Sequence, residues 1–172
     1  MKEVVFVIGP PNCGKSYFIK NYLQDYYVVD LLQFQQKIPP VSIEAIQRSY
    51  DECEKALKQA CQEYDKVVLE HTLLLAKRRT RYIDAVKEIL GKSIKITCYY
   101  SLPTLNDAIK YDELDAKQYL SSHPNRSLRA TTAPKEDIEK ALNMFELPTK
   151  EQGFDKIINI QKQLGTNNYN PN

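Results

Sequence analysis

Eight residues near the start of the chain, Gly9-Pro10-Pro11-Asn12-Cys13-Gly14-Lys15-Ser16, fit the pattern G-x-x-x-x-G-K-[ST] at every position. Their flanks constrain the fold even more than the pattern does. Ahead of them stands Glu3-Val4-Val5-Phe6-Val7-Ile8, an apolar and largely β-branched run with the length of a buried strand. Behind them, the stretch from Tyr17 to Leu23 carries apolar residues at helical spacing. A strand that passes through a glycine loop into a helix turns the loop's N–H groups inward, above the positive end of the helix dipole. That is a seat for a polyphosphate. Gly9 and Gly14 permit a backbone path and a close approach that a side chain would block. Lys15 is then placed to reach the β- and γ-phosphates, and the Ser16 hydroxyl to ligate Mg²⁺. The expectation is a nucleoside triphosphate seated on residues Gly9 to Tyr17.

Composition narrows the class without naming a partner. A chain of 172 residues suits one domain, expected over 1–160, followed by an Asn- and Gln-rich tail over 161–172. A net charge of +2 is too small to announce a nucleic-acid binder. No apolar stretch approaches the ~20 residues a bilayer span needs, so no membrane partner is expected. Met1-Lys2-Glu3 leads straight into the first strand with no secretory signal, and Cys13, Cys53, Cys61 and Cys98 lack metal-like spacing. Reduced thiols and a cytoplasmic location are the expectation.

Strand-like and helix-like segments alternate along the rest of the chain. Strands are predicted at Tyr26–Val29, Lys66–Leu69, Ile94–Tyr100 and Lys156–Ile160. Between them, Ser42 is a plausible N-cap for a helix of about six turns, with an apolar stripe running from Ile43 to Tyr64. Cys53 and Cys61 fall on or near that stripe and read as packing residues. A second helix is predicted over Ala76–Leu90, stopped by Gly91. After Pro103 comes a partly helical stretch to about Leu120, then an aperiodic loop over Ser121–Thr132, then a helix after Pro134 running to Phe145. Strands alternating with helices predict an α/β fold: a parallel sheet with right-handed crossovers, covered on both faces. In such a sheet the ligand crevice lies beyond the carboxyl ends of the strands. That rule gathers the loop, Asp30, Glu70 and Tyr100 around one opening.

Most of the candidates carry two readings. Glu70 is either a holder of the Mg²⁺ water shell or of a nucleophile, or a strand-end carboxylate capping a turn. Asp30 is either a general base for an attacking hydroxyl or a turn residue. His71 reads as structural, and Thr72 as a contact to substrate or the water shell. The run from Lys77 to Arg81 reads mostly as a solvated face, or as one wall of a phosphate-binding groove. Arg126 and Arg129 are either cover for a transferring phosphoryl group or part of a surface loop.

Taken together these residues resemble the P-loop kinase family that includes polynucleotide 5′-hydroxyl kinases and zeta-toxin-like kinases. The resemblance runs from Glu3 to Ile160 and rests on more than the loop. The segment from Glu70 to Arg79 is similar to the family's acidic-x-Thr-Asn stretch, with an arginine seven residues after Thr72. Residues Phe145 to Asp155 are similar to its closing Phe-Glu, Pro, Glu-Gly-Phe-Asp pattern. The resemblance implies a P-loop NTPase three-layer sandwich with strand order 2-3-1-4-5. It also implies ATP with Mg²⁺ as donor and a hydroxyl acceptor, such as a nucleic-acid end, a nucleotide or another small molecule. Arg126 and Arg129 match its lid arginines, and Arg79 its substrate-side arginine. The chain departs from the family in two places. Where the family carries Asp and, three residues on, Arg, this chain has Leu32 and Gln35, so Asp30 is the remaining candidate base. Around Thr72, Glu70 and Leu73 stand in place of the family's usual Asp and Asn. If Asp30 does not serve, the resemblance leaves a nucleotide-binding module or slow ATPase.

Overall fold

The computed structural model describes residues 1–122 and 134–161. Five strands, β1 (Glu3–Ile8), β2 (Tyr27–Asp30), β3 (Lys66–His71), β4 (Ile96–Tyr100) and β5 (Lys156–Asn159), form one sheet. All neighbouring strands are parallel, in the order β2-β3-β1-β4-β5. Around it lie α1 (Lys15–Tyr22), α2 (Leu31–Lys37), α3 (Ile43–Glu63), α4 (Ala76–Leu90), α5 (Leu105–Ser122), α6 (Lys135–Met144) and a 3₁₀ turn at Lys150–Gln152.

Strand β1 is central, and its two faces explain the three layers. Val4, Phe6 and Ile8 pack with Cys53, Leu57 and Ala60 of α3 and Ile83 and Val86 of α4. Val5 and Val7 point the other way and pack with Phe18 and Ile19 of α1. A run apolar at every position suits a strand covered on both sides. Each fully buried aliphatic or aromatic side chain of this kind contributes about 1.5–3 kcal/mol. Cys53, Cys61 and Cys98 are buried free thiols, and burial pushes their pKa values up to about 12, 11 and 12. They are packing residues.

The long helix α3 starts where the sequence indicates: Ser42 Oγ accepts from the Ala45 N–H at 3.1 Å, and Glu44 sits in the first turn. Several elements differ from the sequence-based expectation, three of them more than in a frayed end. Strand β3 runs on to His71, so Glu70 lies inside the strand rather than at its end. Strand β4 begins at Ile96, two residues late, where the Ile96 N–H donates to Asp155 Oδ2 at 2.8 Å. Helix α2 lies in a stretch for which no element was predicted. Its N-cap is Asp30, whose Oδ1 accepts from the Leu32 N–H at 2.9 Å. Among the described residues no helix is long and apolar enough to cross a membrane.

Candidate functional site

The parallel register lines up the carboxyl ends of the strands. Ile8 pairs with His71 on one side and Tyr100 on the other, and Asp30 pairs with Glu70. The loop from Gly9 to Ser16 therefore rises from the middle of the sheet. Gly9 N–H donates to Thr72 O at 3.1 Å and Ser101 N–H to Ile8 O at 2.9 Å, which ties the loop's base to both flanking strands. A Cβ on Gly9 would stand 2.5 Å from Ser101 O, too close for any side chain, and its φ is 150°. Gly14 turns the chain into α1 with φ 93°, a left-handed geometry that favours glycine.

Beside the loop lies a cavity of about 370 Å³. Pro11 to Tyr17 line it from the loop, and Asp30, Leu32, Gln35, Glu70, His71 and Thr72 from the ends of β2 and β3 and from α2. Lys15 is nearly buried and points its Nζ back at the loop, donating to Gly9 O at 2.9 Å and Pro10 O at 2.7 Å. Ser16 Oγ donates to Glu70 Oε1. Burial and the neighbouring Asp30 charge raise the pKa of Glu70, and the Ser16 hydrogen bond and Lys15 oppose that shift. Burial also raises that of Asp30, opposed by the Leu32 N–H and by Lys15.

These residues fit a magnesium nucleotide. A hydroxyl and a carboxylate already in contact are hard oxygen donors of the kind Mg²⁺ takes. The backbone N–H groups of a loop that leads into a helix N-terminus are donors of the kind phosphate oxygens take.

His71 is a structural residue, as its sequence context suggests. It is 2% exposed, sits edge-on to Tyr50 and Tyr82, and accepts from the Leu73 N–H at Nδ1. Its Nε2 has no hydrogen-bond partner among the described residues. Burial, aided by Lys15 and Arg78, lowers its pKa to about 3, so the ring is neutral. Leu73 itself has φ 40°, a conformation that a bulky residue rarely adopts.

The structure brings together the loop, Asp30, Glu70 and Thr72, and it separates two other candidates from them. The expectation that Arg79 contacts substrate is corrected: its side chain is fully buried outside the cavity. Its Nε donates to Leu73 O at 2.8 Å, and its Nη2 to Leu74 O at 3.0 Å and to Glu146 O. Its Nη1 reaches Gln152 Oε1 at 3.3 Å, and the guanidinium lies over the Phe145 ring. All four of these hydrogen bonds go to groups outside the cavity lining. Tyr100 is also outside the cavity lining, stacked on Phe145 instead. Arg126 and Arg129 lie outside the described residues.

Ser101, one residue further along, is the group that sequence reasoning missed. Its Oγ donates to Cys13 O at 2.5 Å and accepts from Gln161 Nε2. On the loop's outer side, Asn12 Nδ2 donates to Asp112 Oδ1 at 2.8 Å. The signal for Ser101 was its position: the first residue past a strand beside β1 lies directly against the loop.

No family model matches the chain. Solved structures do resemble it. A candidate kinase from Chloroflexus aurantiacus matches with a TM-score of 0.65 and 9% identity, over 96% of this chain and 93% of that one. The PezAT chromosomal toxin–antitoxin system of Streptococcus pneumoniae gives a TM-score of 0.59 and 14% identity, over 91% of this chain and 67% of that one. A gluconokinase from Sinorhizobium meliloti gives 0.55 and 12%, over 91% and 81%. With the strand order 2-3-1-4-5 and the glycine loop rising from its central strand, the chain has the fold of the P-loop kinases.

Proposed function

We propose that this protein is an ATP-dependent phosphotransferase that moves the γ-phosphoryl group of ATP to a hydroxyl acceptor. The observation that carries the reading is the contact of Ser16 with Glu70 next to Lys15, in one cavity with Asp30. The backbone N–H groups of residues 9–16 and the Lys15 ammonium would hold the β- and γ-phosphates. Ser16 and Glu70 would hold Mg²⁺, which screens the charge on the transferring group. Thr72, on the same rim, would contact substrate. In the transfer, the acceptor oxygen bonds to the γ-phosphorus, the bond from that phosphorus to the β–γ bridging oxygen breaks, and ADP leaves. Asp30 would orient the hydroxyl and take its proton, a task for which a carboxylate of raised pKa is suited. Arg126 and Arg129 would cover the phosphoryl group and exclude water. Such transfer depends more on position and charge than on a strong base, so Leu32 at the family's base position does not rule it out.

A second reading, a nucleotide-binding module or slow ATPase, is favoured by one observation: an oxygen of Asp30 is already engaged as the cap of α2. The test offers γ-labelled ATP and Mg²⁺ with 5′-hydroxyl oligonucleotides, nucleosides and sugars to wild type and Lys15→Ala. Label on an acceptor, lost in the variant by about 10³-fold or more, supports transfer. Label found only as free phosphate supports the second reading.

A further inference from the structure

Ser101 meets the phosphate loop at both of its ends. At the start, its N–H donates to Ile8 O at 2.9 Å, and its carbonyl oxygen would stand 2.5 Å from a Cβ on Gly9. At the far end, its Oγ donates to Cys13 O at 2.5 Å. The residue is fully buried and lies outside the cavity lining. A hydroxyl has one proton to give, and its other partners decide where that proton points. Here Gln161 decides it. Its Nε2 donates to Ser101 Oγ, which leaves the Ser101 proton for Cys13 O. Gln161 is held in turn by its own N–H, which donates to Asn159 Oδ1 at 2.9 Å, at the end of β5.

These bonds act on one peptide unit. The Cys13–Gly14 peptide is trans, so its C=O and N–H point in opposite directions. Pinning Cys13 O against Ser101 turns the Gly14 N–H the other way, at the point where the loop enters α1. A half-turn of that peptide would exchange a donor for a carbonyl, and a phosphate oxygen would then meet partial negative charge. Without a Cβ, Gly14 offers little resistance to such a turn, so something else must prevent it. We propose that Ser101, set by Gln161, is a positioning residue for nucleotide binding, which holds the Cys13–Gly14 peptide with its N–H toward the phosphates. Ser101 acts through that peptide, as a preorganising contact, rather than by touching the nucleotide. The inference rests on the reading of residues 9–16 as a phosphate seat, and it is independent of the acceptor and of phosphoryl transfer.

The test measures binding alone, by titration calorimetry on the full chain, with Mg²⁺ and either ATP or inorganic tripolyphosphate. Ser101→Ala is expected to weaken both ligands by the same factor, about tenfold, the scale of one hydrogen bond. An equal loss puts the effect at the phosphates, which the two ligands share. A second readout reports the peptide itself. Gly14 is the one glycine of five that follows a cysteine, so carbonyl-¹³C cysteine combined with ¹⁵N glycine singles out its amide. At saturating tripolyphosphate the Gly14 amide proton is expected to move downfield in wild type, and by less in folded Ser101→Ala. Loosening of the fold elsewhere would not change that difference. Gln161→Leu, at a half-buried position, is the second variant should Ser101→Ala fail to fold, with an expected loss of about threefold for both ligands. Unchanged tripolyphosphate affinity in a folded variant, or a Gly14 shift equal to that of wild type, overturns the inference and leaves the phosphate seat standing. If wild type binds neither ligand, the reading of the loop itself falls and takes the inference with it.

Discussion

Asp30 sits where β2 ends, where α2 begins and where the cavity opens, and one carboxylate serves all three. Its Oδ1 caps the helix, while burial disfavours its charge. The sign of that cost follows from linkage. A carboxyl whose folded pKa is raised holds its proton longer than in the unfolded chain, so stability falls as pH rises through the folded value. Asparagine keeps the cap and drops the charge, whereas alanine drops both. Asp30→Asn is therefore expected to be more stable than Asp30→Ala by about 1 kcal/mol in urea unfolding at pH 7. Both should lose acceptor labelling by a similar factor, about 10²–10⁴. Equal stability of the two would remove the capping role; undiminished labelling would remove Asp30 from the chemistry. The sequence presents this residue as either a base or a turn residue, and a short polar side chain at a strand end suits both, so residue type alone does not decide.

At the scale of elements, Arg79 explains why two distant stretches of sequence carry the family likeness together. It clasps the β3–α4 turn, through Leu73 and Leu74, to the segment that leads into β5, through Glu146 and Gln152. Glu146 completes the joint: its N–H donates to Leu74 O, and its carboxylate accepts from the Ala76 N–H at the start of α4. Lysine has no planar fork for several carbonyls at once. Arg79→Lys is expected to destabilise by about 3 kcal/mol in urea unfolding, as when a buried charge loses its partners. Labelling per folded molecule should stay near wild type, because the side chain does not line the cavity. A large rise in acceptor KM with unchanged stability would restore the substrate-contact reading. Nothing in the spacing of residues 76–90 tells a buried arginine from the exposed ones around it, since the carbonyls it satisfies lie as far away as residue 146. Helix α2 was hidden for a different reason. Leu31-Leu32-Gln33-Phe34-Gln35-Gln36-Lys37 is too short to show a helical period, and its start signal was an aspartate that invites a catalytic reading. The longer elements were legible because burial alternates or repeats over many residues, as along α3 and α4.

For the molecule as a whole, the buried neutral His71 sets a pH response. Unfolded, it takes up a proton near 6.5; folded, only near 3. Between those values the unfolded chain holds the extra proton, so stability is lost as pH falls. The loss from pH 7 to pH 5 is expected to be about 2 kcal/mol. Asp30 and Glu70, with raised pKa values, pull the other way, so the comparison is made between proteins at matched pH. His71→Gln should lose less stability than wild type over that interval, read by thermal unfolding at both pH values. An identical decline in the two would mean that His71 is protonated in the folded protein as readily as in the unfolded one.

The tie from Gln161 through Ser101 to Cys13 has a consequence for how the protein is made. Residues 9–16 are synthesised well before the groups that brace them, which come from positions 101 and 161. A nascent chain can form the loop's sequence long before its foundation exists, because β4 must first dock beside β1 and β5 then add at the edge. The loop's support is thereby deferred until residues 101 and 161 have been made, so this segment is completed well after it is synthesised.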